Sequence, residues 1–140
     1  MLVHVWYDFA STLRMITGPK QLTDRAIYFA LLFNIRPTII FEYTSDETFS
    51  DCIQYEDGSF KIAIQDWVHE ADLPAIIGHE MVHVWQYVRG SLEAIEETQI
   101  YIWEGKLYEH TEKMEEYFLR PWEMEARAME EYCDWKWRHR

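Results

Sequence analysis

The run Asp72-Leu73-Pro74-Ala75-Ile76-Ile77-Gly78-His79-Glu80-Met81-Val82-His83-Val84-Trp85-Gln86-Tyr87-Val88-Arg89-Gly90 decides how the rest of the chain is read. It predicts one helix. Asp72 is a good N-cap, Pro74 falls in the first turn where its missing N–H costs nothing, and Gly90 is a usual helix stop. His79 and His83 stand at i and i+4, so both imidazoles share a face and can address one metal ion, Zn2+ for this His-Glu-x-x-His spacing. Glu80 lies one position along, at the edge of that face, placed to take a proton from an activated water rather than to bind the metal. The flanks Ile76, Ile77, Met81, Val82 and Val84 are apolar. The motif is therefore expected in a buried helix, where histidines without partners would be costly. Gly78 is a poor helix residue and implies close packing at that point. The other His-Glu pair, His69-Glu70, has Leu73 where a second histidine would stand and lacks the pattern.

Working outward, Thr38 to Trp67 reads as strand-forming: Thr38–Tyr43, then Phe49–Tyr55, then Ser59–Trp67. Asp57-Gly58 separates the last two runs and is a strong hairpin turn signal. Residues 1 to about 35 read as helical in two pieces broken at Gly18-Pro19, the second from Leu22 to Ile35 with an apolar face of Ala26, Ile27, Phe29, Ala30 and Phe33. Downstream, residues 91–112 are ambiguous: Ser91–Ile100 looks helical, while Tyr101–Glu109 can be extended around Gly105. A last helix is expected from Lys113, with a break or restart at Pro121, to about Trp137. The order helix, strands, helix, helix gives an α+β class with a small mixed or antiparallel sheet.

The 140 residues suit one domain, and with 49% hydrophobic and 16% aromatic residues they can build a core. A net charge of −12 speaks against a nucleic-acid backbone as partner, which needs a basic face. Two cysteines, Cys52 and Cys133, without CxxC spacing, indicate no disulfide framework and a reducing compartment. The start lacks the features of a signal peptide, and no apolar run is long enough for a membrane span. The expectation is a soluble, cytoplasmic protein.

Catalytic zinc sites usually take three protein ligands and leave one position open. His79–Gln86, with Pro121-Trp122-Glu123-Met124-Glu125-Ala126 and more weakly Trp103–Tyr108, resembles the gluzincin metallopeptidases, including small stand-alone catalytic domains and phage and bacterial members. The resemblance covers roughly the C-terminal half. It implies a zincin-like fold, a peptidase activity on peptide or protein substrates, and a third ligand from the glutamate of a downstream helix, which carries over to Glu123. Arg127 stands where the commoner pattern has Asp, so the supporting role of that Asp is absent or moved.

The residues alone leave a choice. On a continuous helix Phe118, Trp122, Ala126, Met129 and Cys133 form the apolar face with Glu125 at its edge, whereas Glu123 falls with Arg127, Glu130 and Asp134 on a polar face. Glu123 and Glu125 are about 200° apart, so both cannot ligate one ion. The run His79–Gln86 is also similar to the SprT-like proteins, which use a third histidine and act on DNA-bound proteins. His110 is the intervening candidate, without the His-Gly context of that family. For substrate, Phe60–Gln65 is the expected strand for pairing with an extended peptide, or else simply a core strand. Tyr87, Tyr108 and Tyr117 are candidates for stabilising an oxyanion. Two other readings compete: a non-catalytic interaction module stabilised by zinc, and a metal-free helical scaffold.

Overall fold

A computed structural model describes residues 3–7, 15–45, 50–95 and 98–140. It is α+β. Strands β1 (Val3–Tyr7), β2 (Met15–Pro19), β3 (Ile39–Thr44), β4 (Asp51–Gln54) and β5 (Phe60–Gln65) form a mixed sheet in the order β1-β2-β3-β5-β4. The three central strands run parallel, and β1 and β4 are antiparallel to their neighbours. Helix α1 (Lys20–Leu32) connects β2 to β3, and α2 (Leu73–Val88) follows β5 after a short 3₁₀ turn at Glu70–Asp72.

Alternation of side chains decides which face of the sheet is buried. Ile39 and Phe41 of β3 are buried and Ile40 and Glu42 exposed, as the period of two requires. β5, central in the sheet, is buried nearly throughout. Its inward residues Phe60, Ile62 and Ile64 join Ile16, Leu22, Ala26 and Phe29, together with Leu73, Ile77, Met81 and Val84 of α2. The motif helix is thus clamped between the sheet, α1 and a last helix α4 (Pro121–Arg138). Gly78 marks the closest approach: a Cβ there would lie 2.4 Å from the Cβ of Cys133 on α4. The glycine is what lets the two helices meet at the level of the site.

Several expectations are corrected. The first predicted helical piece is the antiparallel pair β1–β2, with residues 8–14 outside the described set. Val-His-Val-Trp-Tyr is a run of strand formers, and pairing across the sheet outweighs any helical reading. Helix α1 ends at Leu32 and not Ile35, because Asn34 turns left-handed (φ 55°) with its N–H on the Leu31 carbonyl. Asp72 makes no capping bond; it completes the 3₁₀ turn with helical angles, so its carboxylate is not aimed at the next N–H groups. The strand predicted over Phe49–Tyr55 is shortened to β4, and Phe49 lies outside the described residues.

Residues 91–95 and 98–112 are not helical. They form a separate antiparallel sheet of β6 (Leu92–Ile95), β7 (Ile100–Trp103) and β8 (Lys106–Tyr108). The turn from β7 to β8 places both Glu104 (φ 48°) and Gly105 (φ 85°) in the left-handed region, the two-residue hairpin geometry that matches strand twist. Helix α3 (Met114–Phe118) then leads to α4, and the break at Pro121 falls as expected. Among the described residues no helix is long and apolar enough to cross a membrane.

Candidate metal centre

Helix α2 places His79 and His83 one turn apart, with their Nε2 atoms 3.2 Å from each other. Glu123, in the first turn of α4, closes the triangle: Oε2 lies 3.2 Å from His79 Nε2 and Oε1 lies 3.0 Å from His83 Nε2. Two imidazole nitrogens and a carboxylate therefore converge on one point. Glu80 is adjacent; ligand atoms of His79, Glu80 and His83 all fall within 4.8 Å of one another, a group able to hold a metal ion. Glu80 and Glu123 differ in contact. Glu123 touches both imidazoles, whereas Glu80 Oε2 is buried with no hydrogen-bond partner. Contact favours Glu123 as the third donor and leaves Glu80 with an unused oxygen beside it.

Glu123 is held in place from the second sheet. Trp122 seats against Tyr101 and Tyr108, at ring distances of 5.3 Å each, and this fixes the first turn of α4 over the histidines. The other ring nitrogen of each histidine is also engaged. His79 Nδ1 is 2.8 Å from Glu130 Oε2, and His83 Nδ1 is 2.8 Å from Gln86 Oε1. The Gln86 amide N–H donates to the Trp122 carbonyl and to Glu125 Oε1, so its oxygen faces His83. With Nδ1 turned to that oxygen, His83 points Nε2 at Glu123 and the site. Partners of this kind orient metal-binding histidines. The donor set and its supports are able to hold a metal ion.

The electrostatics agree. Burial opposes the charged form of His79, but hydrogen bonds to Glu123 and Glu130 and the nearby Glu80 outweigh it and raise its pKa to about 10. His83 is raised for similar reasons, against the same burial. Burial alone would raise Glu123, yet bonding to both imidazoles holds it well below the usual carboxylate range. Burial pushes Glu80 up, partly offset by the two histidines. Positive charge between these groups is strongly favoured.

Of the two candidate glutamates, Glu125 is directed elsewhere, accepting from Gln86 and from Arg89 Nη2 at 2.7 Å. His110 is exposed and is not part of the ligand group. Among the tyrosines, Tyr117 donates to Glu123 Oε1 at 3.1 Å and Tyr87 lies beside His83 in a shared cavity, while Tyr108 packs on Trp122. Phe60–Gln65 is not a free edge. It is paired on both sides, and β4 is the edge strand, with Ser50 and Cys52 alongside the site. Sequence reading missed Glu130, Gln86 and Tyr101. The position of Glu130, seven residues after Glu123 and so on the same helix face, was the available signal. Arg127 donates to the Phe118 carbonyl and covers the Phe118 ring, while the acid that meets His79 Nδ1 is Glu130. No protein-family model matches the chain, nor does any curated protein or solved structure.

Proposed function

We propose that the protein is a zincin-like zinc peptidase of gluzincin type, with Zn2+ held by His79, His83 and Glu123 and with Glu80 as general base. The observation that carries this reading is the convergence of two imidazole nitrogens and the Glu123 carboxylate beside the orphaned, buried Oε2 of Glu80. The bound ion would act as a Lewis acid and bring the pKa of a water down to about 7. Glu80, beside both histidines and with its carboxyl pushed up by burial, would accept a proton from that water and return it to a leaving amine. Tyr117, neutral because burial and the adjacent Glu123 push its phenol up, can donate to an oxyanion. The edge strand β4, with Cys52 on it and Ser50 just before it beside the site, offers its backbone to an extended peptide. A mixed sheet with an antiparallel edge, a motif helix and a glutamate helix supports the zincin-like reading.

The test is metal analysis and hydrolysis on the same preparations. Wild type purified without added zinc should contain close to one equivalent of metal and cleave members of a broad peptide library. Glu80→Gln should keep the metal and lose about 10²–10⁴-fold in rate. Full activity in that variant would sink the mechanism. A metal content near zero, with no stability change under chelator, would favour a metal-free scaffold, and bound metal without any cleavage would favour an interaction module.

A further inference from the structure

Among the described residues three buried side-chain polar atoms have no hydrogen-bond partner: Ser50 Oγ, Glu80 Oε2 and Arg25 Nε. The residues of the first two line one cavity with His79 and Glu130 and belong to the metal centre. Arg25 does not. It stands on α1, only 8% exposed, and lines a separate cavity where the first turn of α2 meets the end of α4. That cavity, about 630 Å³, falls in the roughly 300–1,000 Å³ range of small-molecule sites. A buried guanidinium N–H without an acceptor is costly unless a ligand supplies one. The other contacts of Arg25 do not neutralise it well. Nη1 donates to the Gln21 carbonyl at 2.8 Å, and Nη2 reaches Glu70 only at 3.5 Å, a carboxylate that is itself mostly in solvent.

The charge around this cavity opposes that of the whole chain. Three of the 13 Lys and Arg residues face it, Arg25, Arg138 and Arg140, against one of the 25 acidic residues, Glu70. Asp134 is not in the wall; it accepts from Arg138 Nε at 2.8 Å, and Arg138 Nη2 donates to the Ala71 carbonyl. Asp72 also lies near enough to favour the Arg138 charge. The guanidinium groups of Arg25 and Arg140 both lie over the Trp137 ring, 4.8 and 3.5 Å from its centre, so two like charges are gathered on one ring. Carbonyls at the end of α4 do not offset them, because Trp135 O accepts from His139 and Trp137 O from Arg140. Guanidinium groups match phosphate oxygens in geometry, and a phosphate near neutral pH brings close to two charges where a carboxylate brings one. We propose that this cavity binds a phosphate group, as inorganic phosphate or as the phosphate of a small monoester, through Arg25 and Arg138 with Arg140. The site is separate from the metal centre and does not depend on the peptidase reading.

The experiment is calorimetric titration of the full chain near neutral pH with inorganic phosphate, glycerol 3-phosphate and acetate, at one ionic strength made up with chloride. Phosphate should bind at one site with a Kd of about 1 mM or tighter, and acetate more weakly. Arg25→Gln should weaken phosphate binding about tenfold or more. Arg138→Gln, at a more exposed side chain, should do the same and serves if the buried substitution unfolds the chain. Affinity should be equal before and after dialysis against a chelator, which separates this site from an anion seated on a bound metal. A monoester that binds tighter than inorganic phosphate would assign the cavity to a phosphorylated small molecule, and equal affinities would assign it to phosphate itself. Binding of neither, acetate as tight as phosphate, unchanged affinity in both arginine variants, or loss of binding after dialysis overturns the proposal.

Discussion

Helix α2 lays His79 and His83 on a helix that is buried almost all round, whereas α4 presents Glu123 and Glu130 from a helix with only four buried residues, Trp122, Glu123, Ala126 and Cys133. In α2 the site residues are part of the core, and their geometry follows from helical spacing alone. In α4 the two glutamates stand on one margin of a narrow stripe formed by Ala126 and Cys133, and only docking against α2 turns that margin into a site. Glu125 occupies the opposite margin, about 200° from Glu123, and meets Gln86 and Arg89 instead. A helix that is buried on all sides declares its functional face by motif; a half-buried one leaves that face undecided until its partner is known.

The largest expected effect breaks the symmetry between the two glutamates of α4. On the proposed ligand set, Glu123→Ala should weaken zinc binding by on the order of a hundredfold to a thousandfold, more than the loss of any supporting residue, since it removes one of the three proposed donors. Glu125→Ala should weaken it about tenfold or less, through Gln86. Competition titration with a coloured chelator measures both, and equal losses would show that the two margins are not distinct. The supporting residues come next. Glu130→Ala and Gln86→Ala should each cost about 10–100-fold in metal affinity while leaving the three donors in place. A loss confined to Gln86→Ala would mean that α4 contributes a ligand but no support.

A smaller effect tests the contact between the helices. Gly78→Ala puts a methyl group 2.4 Å from Cys133 Cβ, an overlap expected to cost about 1–3 kcal/mol, against a helix-propensity gain of about 1 kcal/mol. Urea unfolding should report a net loss; a more stable variant would mean that α2 and α4 can part without cost. Least in size is the dependence on pH. In chelator, His79 has a pKa raised from 6.5 to about 10, so its contribution to stability is complete below pH 6.5 and is lost as pH rises toward about 10. Glu123, lowered, contributes above its ordinary value near 4.5 and loses that contribution in acid. Thermal melts should therefore fall on both sides of a maximum between about pH 4.5 and 6.5. With zinc present the fall at high pH should vanish, because the ion replaces the proton.

The motif helix, its close approach at Gly78, the β4–β5 hairpin at Asp57-Gly58 and the restart at Pro121 were all legible, since each rests on local spacing or on a residue with special backbone preferences. The N-terminal strand pair was not. Val3–Tyr7 carries no turn signal before it, and its strand character comes from the partner strand. Ser91–Ile100 reads as helical because its acidic residues are common helix formers, but pairing of β6 with β7 overrides propensity. β5 reads equally well as edge or centre, because strand order is a property of the sheet and not of any strand.

The sequence by itself determined the pair of histidines, the adjacent glutamate and the buried helix that carries them, because a helix repeats every 3.6 residues and its geometry needs no partner. The tertiary structure decided the rest of the site. It set Glu123 against both imidazoles, gave Glu125 to Arg89, assigned Glu130 and Gln86 to the outer ring nitrogens, and brought Tyr87, Tyr117 and Trp122 around the His83 side of the site. Those arrangements depend on which margin of α4 packs on α2 and where the second sheet seats Trp122. Both are contacts between segments distant in sequence, and no local spacing encodes them.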